Sequence, residues 1–294
     1  LILFDMWSVN KRYLNSNDFV SKREMETPFT ESAADSYILK DNTSKARVLN
    51  LAANTFNDAS TSYFHQSIGG YHGAKMKRYQ ELIEHHISPE IQTLIGVFNN
   101  KPTEGKLDTA LSNLGVLNML NAKYIIYSPD APPLVNTHSN GAAWFVKSVQ
   151  FEPNADKEIN TLSQINTKEQ AVVDVRYKAN VQLPATIDAN ANITRTSYKP
   201  NHLVYESNSK VDGIALFSEI YYDKGWNAYI DGKPAPYFRA NYILRAMIVP
   251  AGSHTIEFKF EPRVYAVGEK IAYASSILLV LLALGTIGFM IRQK

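Results

Sequence analysis

From Ile271 to Ile291 the chain runs 21 residues without a charged side chain. At 1.5 Å per residue, a helix of about 20 such residues crosses the ~30 Å hydrocarbon layer of a bilayer. Glu269-Lys270 on one side and Arg292 and Lys294 on the other supply the ionic flanks expected at two interfaces. A buried core helix seldom reaches this length without a charge, so the segment reads as a membrane helix over 270–291. Arg292 and Lys294 favour a cytoplasmic C-terminus, while Arg263 and Lys270 lie close on the other flank, so orientation is less strongly marked than the span itself. At the opposite end, Leu1-Ile2-Leu3-Phe4 runs straight into Asp5, with no initiator Met, no basic n-region and no small-residue cleavage site. Residues 1–4 therefore read as the stub of an upstream hydrophobic segment rather than a signal peptide, and the chain as the C-terminal piece of a larger membrane protein.

The remaining composition is globular. Of the 294 residues, 45% are hydrophobic and 20% charged, which excludes disorder and low-complexity classes. Thirty basic against 28 acidic residues leave a formal charge of +2, too balanced for a nucleic-acid binder. The absence of cysteine removes thiolate metal sites and cysteine nucleophiles. No P-loop, GxGxxG or GxSxG occurs, so nucleotide binding and a serine nucleophile elbow have no support.

Two styles of sequence lie between the termini, and together they predict an α+β chain. Residues 5–141 read as a mixed α/β region. Arg47 to Leu51 suits a short strand. Ala74 to Ile87 has helical spacing, with Met76, Tyr79, Ile83 and Ile87 on one face. Ser88-Pro89-Glu90 then reads as a cap, a first-turn proline and an acidic first turn opening a new helix that carries Ile91, Leu94, Ile95 and Phe98. A third helix is expected from about Leu107, with Leu111, Leu114 and Leu117 inward, followed by a strand at Tyr124 to Tyr127.

Residues 142–262 read as mainly β. Candidate strands are Ala143 to Val146, Val172 to Tyr177, Ala191 to Tyr198, His202 to Ser207, Gly213 to Tyr222, Trp226 to Ile230, Tyr237 to Ala240, Ile243 to Val249 and His254 to Glu261. Asp231-Gly232 and Pro250-Ala251-Gly252 mark tight turns. In the last strand Ile256, Phe258 and Phe260 alternate with Glu257, Lys259 and Glu261, one face buried and the other wet. Short strands at regular spacing predict an antiparallel β-sandwich, followed by about eight connecting residues and a single C-terminal transmembrane helix.

The stretch Tyr221-Tyr222-Asp223-Lys224-Gly225-Trp226-Asn227-Ala228-Tyr229-Ile230-Asp231-Gly232-Lys233, with Arg239-Ala240-Asn241-Tyr242 and Val249-Pro250-Ala251-Gly252-Ser253-His254, resembles the YfhO family of bacterial polytopic membrane proteins. Asn227 and Ala228 depart from the small or basic residues expected there. Trp7 to Leu14, Phe56 to His65 and Ile68 to Ala74 resemble versions of the family from Bacteroides-like bacteria, so the likeness covers nearly the whole chain. The resemblance implies a relation to C-type glycosyltransferases, which transfer sugars from polyprenyl-phosphate carriers outside the cytoplasmic membrane. The catalytic carboxylate of such enzymes lies in an early outer loop that nothing here matches. The resemblance therefore implies an extracytoplasmic portion that is non-catalytic on its own, holds no cofactor or metal, and contacts the lipid bilayer and a polyprenyl-phosphate sugar or glycan acceptor. The alternative is a membrane-tethered sandwich that binds glycan or envelope protein.

Gly69-Gly70-Tyr71-His72-Gly73 is the best local site candidate. Glycines let backbone N–H groups approach a ligand, and the loop is expected to open a helix at Ala74, whose N-terminus favours anions. Lys75 and Arg78, with Lys77, add positive charge; Tyr71 offers a stacking face, and His65 or His72 a hydrogen bond. A capped glycine turn beside a solvated basic face accounts for the same residues. In the sandwich, Trp226, Tyr229, Tyr237, Phe238 and Tyr242 form an aromatic group; Trp226 reads as core, and Tyr229, on the opposite strand face, as the candidate for sugar contact. His85-His86 point about 100° apart and lack metal-ligand spacing, so they read as a solvated helix end, and a histidine metallohydrolase ranks last. Asn42-Thr43-Ser44 and Asn192-Ile193-Thr194 fit the glycosylation sequon, which carries little meaning in a bacterial protein.

Overall fold

Period-two alternation dominates the C-terminal half, and the computed structural model builds it into paired sheets. The structure describes residues 2–26, 29–41, 45–100, 102–181 and 186–292. Leu1 of the N-terminal stub, the Asn42-Thr43-Ser44 sequon and Lys294 lie outside the described residues. Two units divide the chain: Leu1–Met76 with Thr93–Ser139, and Lys77–Gln92 with Asn140–Lys294.

In the first unit the helix Ala33–Leu39 begins at a capping box. The Ser32 hydroxyl accepts from the Asp35 amide at 3.1 Å, and Asp35 Oδ2 accepts from the Ser32 amide at 3.0 Å. Ala34 and Ile38 of this helix are buried with Val48, Tyr124 and Ile126. Those last residues come from the strands Arg47–Asn50 and Ala122–Ile126, which run parallel. Gln66–Ser67 extends the sheet in parallel on one side, and Leu134–Val135 closes it in antiparallel on the other. Both of these strands are two residues long, too short for alternation to reveal. The helix expected from Leu107 is two helices, Glu104–Ser112 and Gly115–Met119. Asn113 and Gly115, both poor helix formers, break it, while Leu111, Leu114 and Leu117 are buried as their spacing requires. The N-terminal helix Ile2–Tyr13 buries none of its residues.

The expected break before Ser88 is absent. Lys77–Leu82, Ile83–Ile87 and Ser88–Asn99 form one helical run, and Ile83–Ile87 is a π turn. Ser88 has helical angles, φ −64° and ψ −45°, and its amide donates to the Ile83 carbonyl five residues back. Pro89 lacks the N–H that would bond the His85 carbonyl and its ring crowds that group. Widening one turn lets the helix pass the proline.

The second unit holds two sheets. One is antiparallel throughout, with Lys233–Pro234, Trp226–Ile230, Gly252–Phe260, His202–Ser209 and Asn192–Lys199 side by side in that order. The other orders Ala143–Val146, Gly213–Ile220, Leu244–Val249, Phe238–Ala240, Gln170–Asp174 and Ser148–Glu152. Its last pair is parallel, connected through the helix Ala155–Thr161, so the antiparallel sandwich carries one βαβ unit at its edge. Ser148–Glu152 alternates Ser, Gln and Glu with its apolar residues and buries none of them fully, which hides it from a search for apolar runs.

Both sheets feed one core. Leu203, Tyr205, Ile256 and Phe258 from the first meet Ala215, Phe217, Met247 and Val249 from the second. The rings of Tyr205, Phe217 and Phe258 are mutually edge-on, with centroids 4.9 Å (Tyr205–Phe217), 4.9 Å (Phe217–Phe258) and 6.2 Å (Tyr205–Phe258) apart. Trp226 packs against this core, as its strand face requires. Phe260, expected on the same buried face, is instead 38% exposed and lies 5.4 Å from the Trp226 ring.

Only Glu261 and Pro262 separate the strand Gly252–Phe260 from the helix Arg263–Arg292. The expected eight-residue tether is itself helical: the Ala266 amide donates to the Pro262 carbonyl at 3.2 Å, so proline starts the helix. None of the helix's 30 residues is buried by protein. A helix long and apolar enough to cross a membrane thus continues directly from the central strand of a sheet.

Candidate functional site

The glycine loop of the first unit is shaped by a close backbone approach. A Cβ placed on Gly69 would lie 1.7 Å from the Thr55 carbonyl oxygen, so no side chain fits. Gly70, at φ +129°, then donates its amide to that same carbonyl at 2.8 Å. This locks the loop's backbone and presents Tyr71, 74% exposed, with His72 also exposed beside it. Lys75 Nζ lies 5.9 Å from the centre of the Phe56 ring. We expect Gly69→Ala to destabilise the first unit by about 1–3 kcal/mol through overpacking. Gly73→Ala, where a Cβ meets nothing within 4 Å, should be near neutral. Hydrogen exchange at the Gly70 amide checks both: protection should fall only in the Gly69 variant.

Two expected partners of this loop are placed otherwise. His65 Nε2 lies 2.8 Å from Asp35 Oδ1, and the His65 side chain is 3% exposed. Burial raises the Asp35 carboxyl, but hydrogen bonds from Ser32 and His65 outweigh it and hold the group below its ordinary range. His65 therefore braces the capping box of Ala33–Leu39. The helix expected to open at Ala74 begins at Lys77, where the chain passes into the second unit. Arg78 belongs to that unit.

There, Arg78 joins a buried polar cluster. Its Nη1 lies 3.5 Å from Glu158 Oε2 and donates to the Tyr242 carbonyl at 3.3 Å, and its guanidinium stacks 4.4 Å from the Tyr242 ring centre. Glu158, fully buried on the crossover helix Ala155–Thr161, also accepts from the Tyr242 amide at 3.0 Å and faces Arg239 Nη2 at 3.6 Å. Asp174 stands 3.9 Å from the same Nη2 and 2.7 Å from Arg176. The Tyr242 hydroxyl donates to Glu81 on Lys77–Leu82. Burial pushes the Glu158 carboxyl above its ordinary value, against the pull of Arg239 and Arg78.

The residues Arg239-Ala240-Asn241-Tyr242 build this cluster by a strained turn. Asn241 and Tyr242 hold φ of +47° and +68°, a region asparagine tolerates but one costly for tyrosine. Asn241 compensates by pairing with Val172 as a strand residue would: its amide donates to the Val172 carbonyl at 2.7 Å, and its Oδ1 accepts from the Val172 amide at 2.9 Å. The turn thereby aims the Tyr242 amide, carbonyl and ring at Glu158 and Arg78. Sequence reasoning missed Glu158, Asp174 and Glu81. The available signal was Arg239 and Asn241, two polar residues in an otherwise apolar strand and turn.

Tyr229 is half-buried on the outer face of Trp226–Ile230. Its hydroxyl donates to Glu261 at 2.8 Å and its ring lies 5.0 Å from Lys259 Nζ. His86 is not a solvated helix end: the helix continues through it, and its Nε2 lies 2.7 Å from the Ile159 carbonyl, with burial lowering its pKa.

A second motif residue, His254, links two turns. Its Nδ1 lies 2.6 Å from Asp231 Oδ2 and its Nε2 3.1 Å from the Ala251 carbonyl. Both partners only accept, so the doubly protonated, cationic ring is the form that satisfies both contacts. The Asp231 hydrogen bond, then that to Ala251, raises the His254 pKa above its ordinary 6.5. Because the folded value is the higher one, this clip is fully formed below about pH 6.5 and is lost as pH rises through the folded value. Asp231→Asn, tolerated at φ +50°, should bring the His254 titration midpoint, followed by NMR, back toward 6.5. An unmoved midpoint would contradict the clip.

Among the described residues, no group of three or more His, Cys, Asp or Glu is placed to hold a metal ion. Residues 149–272 match the model of a family described as bacterial membrane protein YfhO. The match takes in the sandwich from Ser148–Glu152 onward, the strained Asn241–Tyr242 turn, the His254 clip and the start of the apolar helix. No curated protein and no solved structure matches the chain.

Proposed function

We propose that this chain, YfhO-like over 149–272, is the extracytoplasmic C-terminal portion of a polytopic membrane protein related to C-type glycosyltransferases. In this reading the helix Arg263–Arg292 spans the cytoplasmic membrane, the sandwich stands on its outer side, and the C-terminus is cytoplasmic. The chain is not catalytic by itself; it positions a glycan acceptor for chemistry carried by the parent protein's membrane part, whose donor is a polyprenyl-phosphate sugar. The observation that carries the reading is the direct passage from the central strand Gly252–Phe260 into a fully uncovered 30-residue apolar helix. That passage holds the sandwich at the membrane surface, where an acceptor must be presented. Tyr71, held out by the Gly69–Gly70 backbone lock, supplies a stacking face for sugar, and Lys75 adds charge in the same unit, while Arg78 is committed to the Glu158 cluster of the other.

The test is calorimetric titration of the full chain in lipid nanodiscs with soluble envelope polysaccharides. Saturable binding that weakens at least tenfold in Tyr71→Ala or Tyr229→Ala supports acceptor positioning. No heat with any polysaccharide class would favour the alternative, a tethered module that binds envelope protein.

A further inference from the structure

A cleft of about 1060 Å³ opens where the sandwich passes into the apolar helix. Phe260, Pro262, Val264, Tyr222 and Tyr265 give it a mainly apolar wall, and Lys224 and Arg263 stand at it with their charges exposed. We propose that this cleft binds one anionic glycerophospholipid from the leaflet around the helix, its phosphate between Lys224 and Arg263 and its glycerol and upper acyl chain along the aromatic wall.

Three observations carry the assignment. First, the level is right. The uncharged run begins at Ile271, and the cleft residues Arg263–Tyr265 lie six to eight residues above it, a helical rise of about 9–12 Å. The headgroup layer adds about 5–8 Å on each side of the hydrocarbon, and lysine and arginine stems reach several ångströms further toward it. Second, the base of the cleft is fixed by close packing. Gly225, at φ +111°, packs so close that a Cβ there would sit 2.9 Å from Pro262 Cβ and 3.0 Å from the Phe260 ring. The Glu261 amide donates to the Gly225 carbonyl at 2.6 Å, which fixes the turn carrying Lys224 against the first turn of the helix. Third, the charge is complementary to phosphate. Glu261 also lines the cleft and keeps its negative charge, but its Oε2 is turned to Asn227 and Tyr229, whose Nδ2 and hydroxyl donate to it at 2.9 and 2.8 Å, and the two cations outnumber it. Lys224 lies 3.4 Å from the carboxylate of Asp223, an ion pair exposed on both sides. Phe260, turned out of the core, is explained by the same occupant: an apolar ring at this level faces lipid rather than water.

The inference rests on the membrane-spanning reading of Arg263–Arg292, and the test separates the two. The full chain is reconstituted in vesicles of phosphatidylcholine with 20% phosphatidylglycerol, floated on a density gradient, then extracted and analysed by native mass spectrometry for retained lipid. We expect the chain to float and to retain one phosphatidylglycerol in at least fivefold preference over phosphatidylcholine. Lys224→Ala with Arg263→Ala should abolish the preference, while Lys233→Ala, an exposed cation outside the cleft, should leave it intact. Adding 10 mM glycerol phosphate to the extract should not displace the lipid. Equal retention of both lipids, a preference unchanged in the double variant, or displacement by glycerol phosphate would overturn the lipid site alone. A chain that fails to float would overturn the membrane span and the site together.

Discussion

Glu158→Ala is expected to cost the sandwich unit about 3–5 kcal/mol, the loss typical of removing one partner from a buried ionic cluster. Three groups lose a contact at once: Arg239, 8% exposed and 3.6 Å away, keeps the longer approach to Asp174; Arg78, at 3.5 Å, keeps the Tyr242 carbonyl; and the Tyr242 amide, at 3.0 Å, loses its acceptor. Arg239 and the Tyr242 amide cannot regain water without opening the unit, whereas Arg78, 25% exposed at its side chain, can do so in part. The strained Asn241–Tyr242 turn loses the contact that justifies its backbone, so its strain is released in the same event. Glu158→Gln keeps an acceptor for the Tyr242 amide and is isosteric with the protonated acid that burial favours. It should therefore lose clearly less. Since the folded carboxyl titrates above its ordinary 4.5, the stability it contributes is complete below that value and declines as pH rises through the folded one. The Gln variant should remove that decline. Denaturation of the full chain in nanodiscs, followed through Trp144 and Trp226, measures both effects. Glu169→Ala, which breaks only the exposed pair with Lys147, should stay within about 1 kcal/mol. A Glu158→Ala cost no larger than that of Glu169→Ala would show that the cluster does not lock the turn and helices around it.

Phe258→Ala should cost a comparable amount, about 3–5 kcal/mol, for a different reason. Phe258 is fully buried at the centre of the aromatic trio, edge-on to Phe217 and Tyr205, with the Tyr237 ring 5.6 Å away and the Arg245 guanidinium 5.1 Å away. Removing it leaves a cavity lined by rigid rings that cannot collapse inward. Phe260→Ala, two positions along the same strand face, removes a ring already 38% exposed and should cost no more than about 1–2 kcal/mol. The contrast is measured by the same denaturation series. Equal costs at the two positions would mean that the strand's apolar face is uniformly buried, which contradicts the turning out of Phe260 toward the cleft.

The membrane-type helix was legible because 21 uncharged residues admit few other readings, and the sandwich strands because alternation reports which face is buried. What escaped was set by partners distant in sequence. Arg78 reads as a solvated helix charge until Glu158, eighty residues on, is folded against it. His65 reads as a ligand contact until Asp35, thirty residues back, takes its ring nitrogen. Pro89 reads as a helix start because local rules place proline in a first turn; only the whole helical run shows that a π turn carries it instead. The glycine loop was legible as a loop, but not why it needs glycine. That answer is the Thr55 carbonyl, which no spacing reveals.

The central claim, a sandwich held outside the membrane by Arg263–Arg292, is most directly tested by thiol labelling, since the chain has no cysteine of its own. Lys233→Cys places a thiol at an exposed sandwich turn, and Arg292→Cys places one at the far end of the helix. Protoplasts expressing each variant are treated with a membrane-impermeant maleimide before and after permeabilisation. The account predicts that Lys233→Cys is labelled in intact protoplasts and Arg292→Cys only once they are permeabilised. Labelling of both in intact protoplasts, or of Lys233→Cys only after permeabilisation, would contradict it.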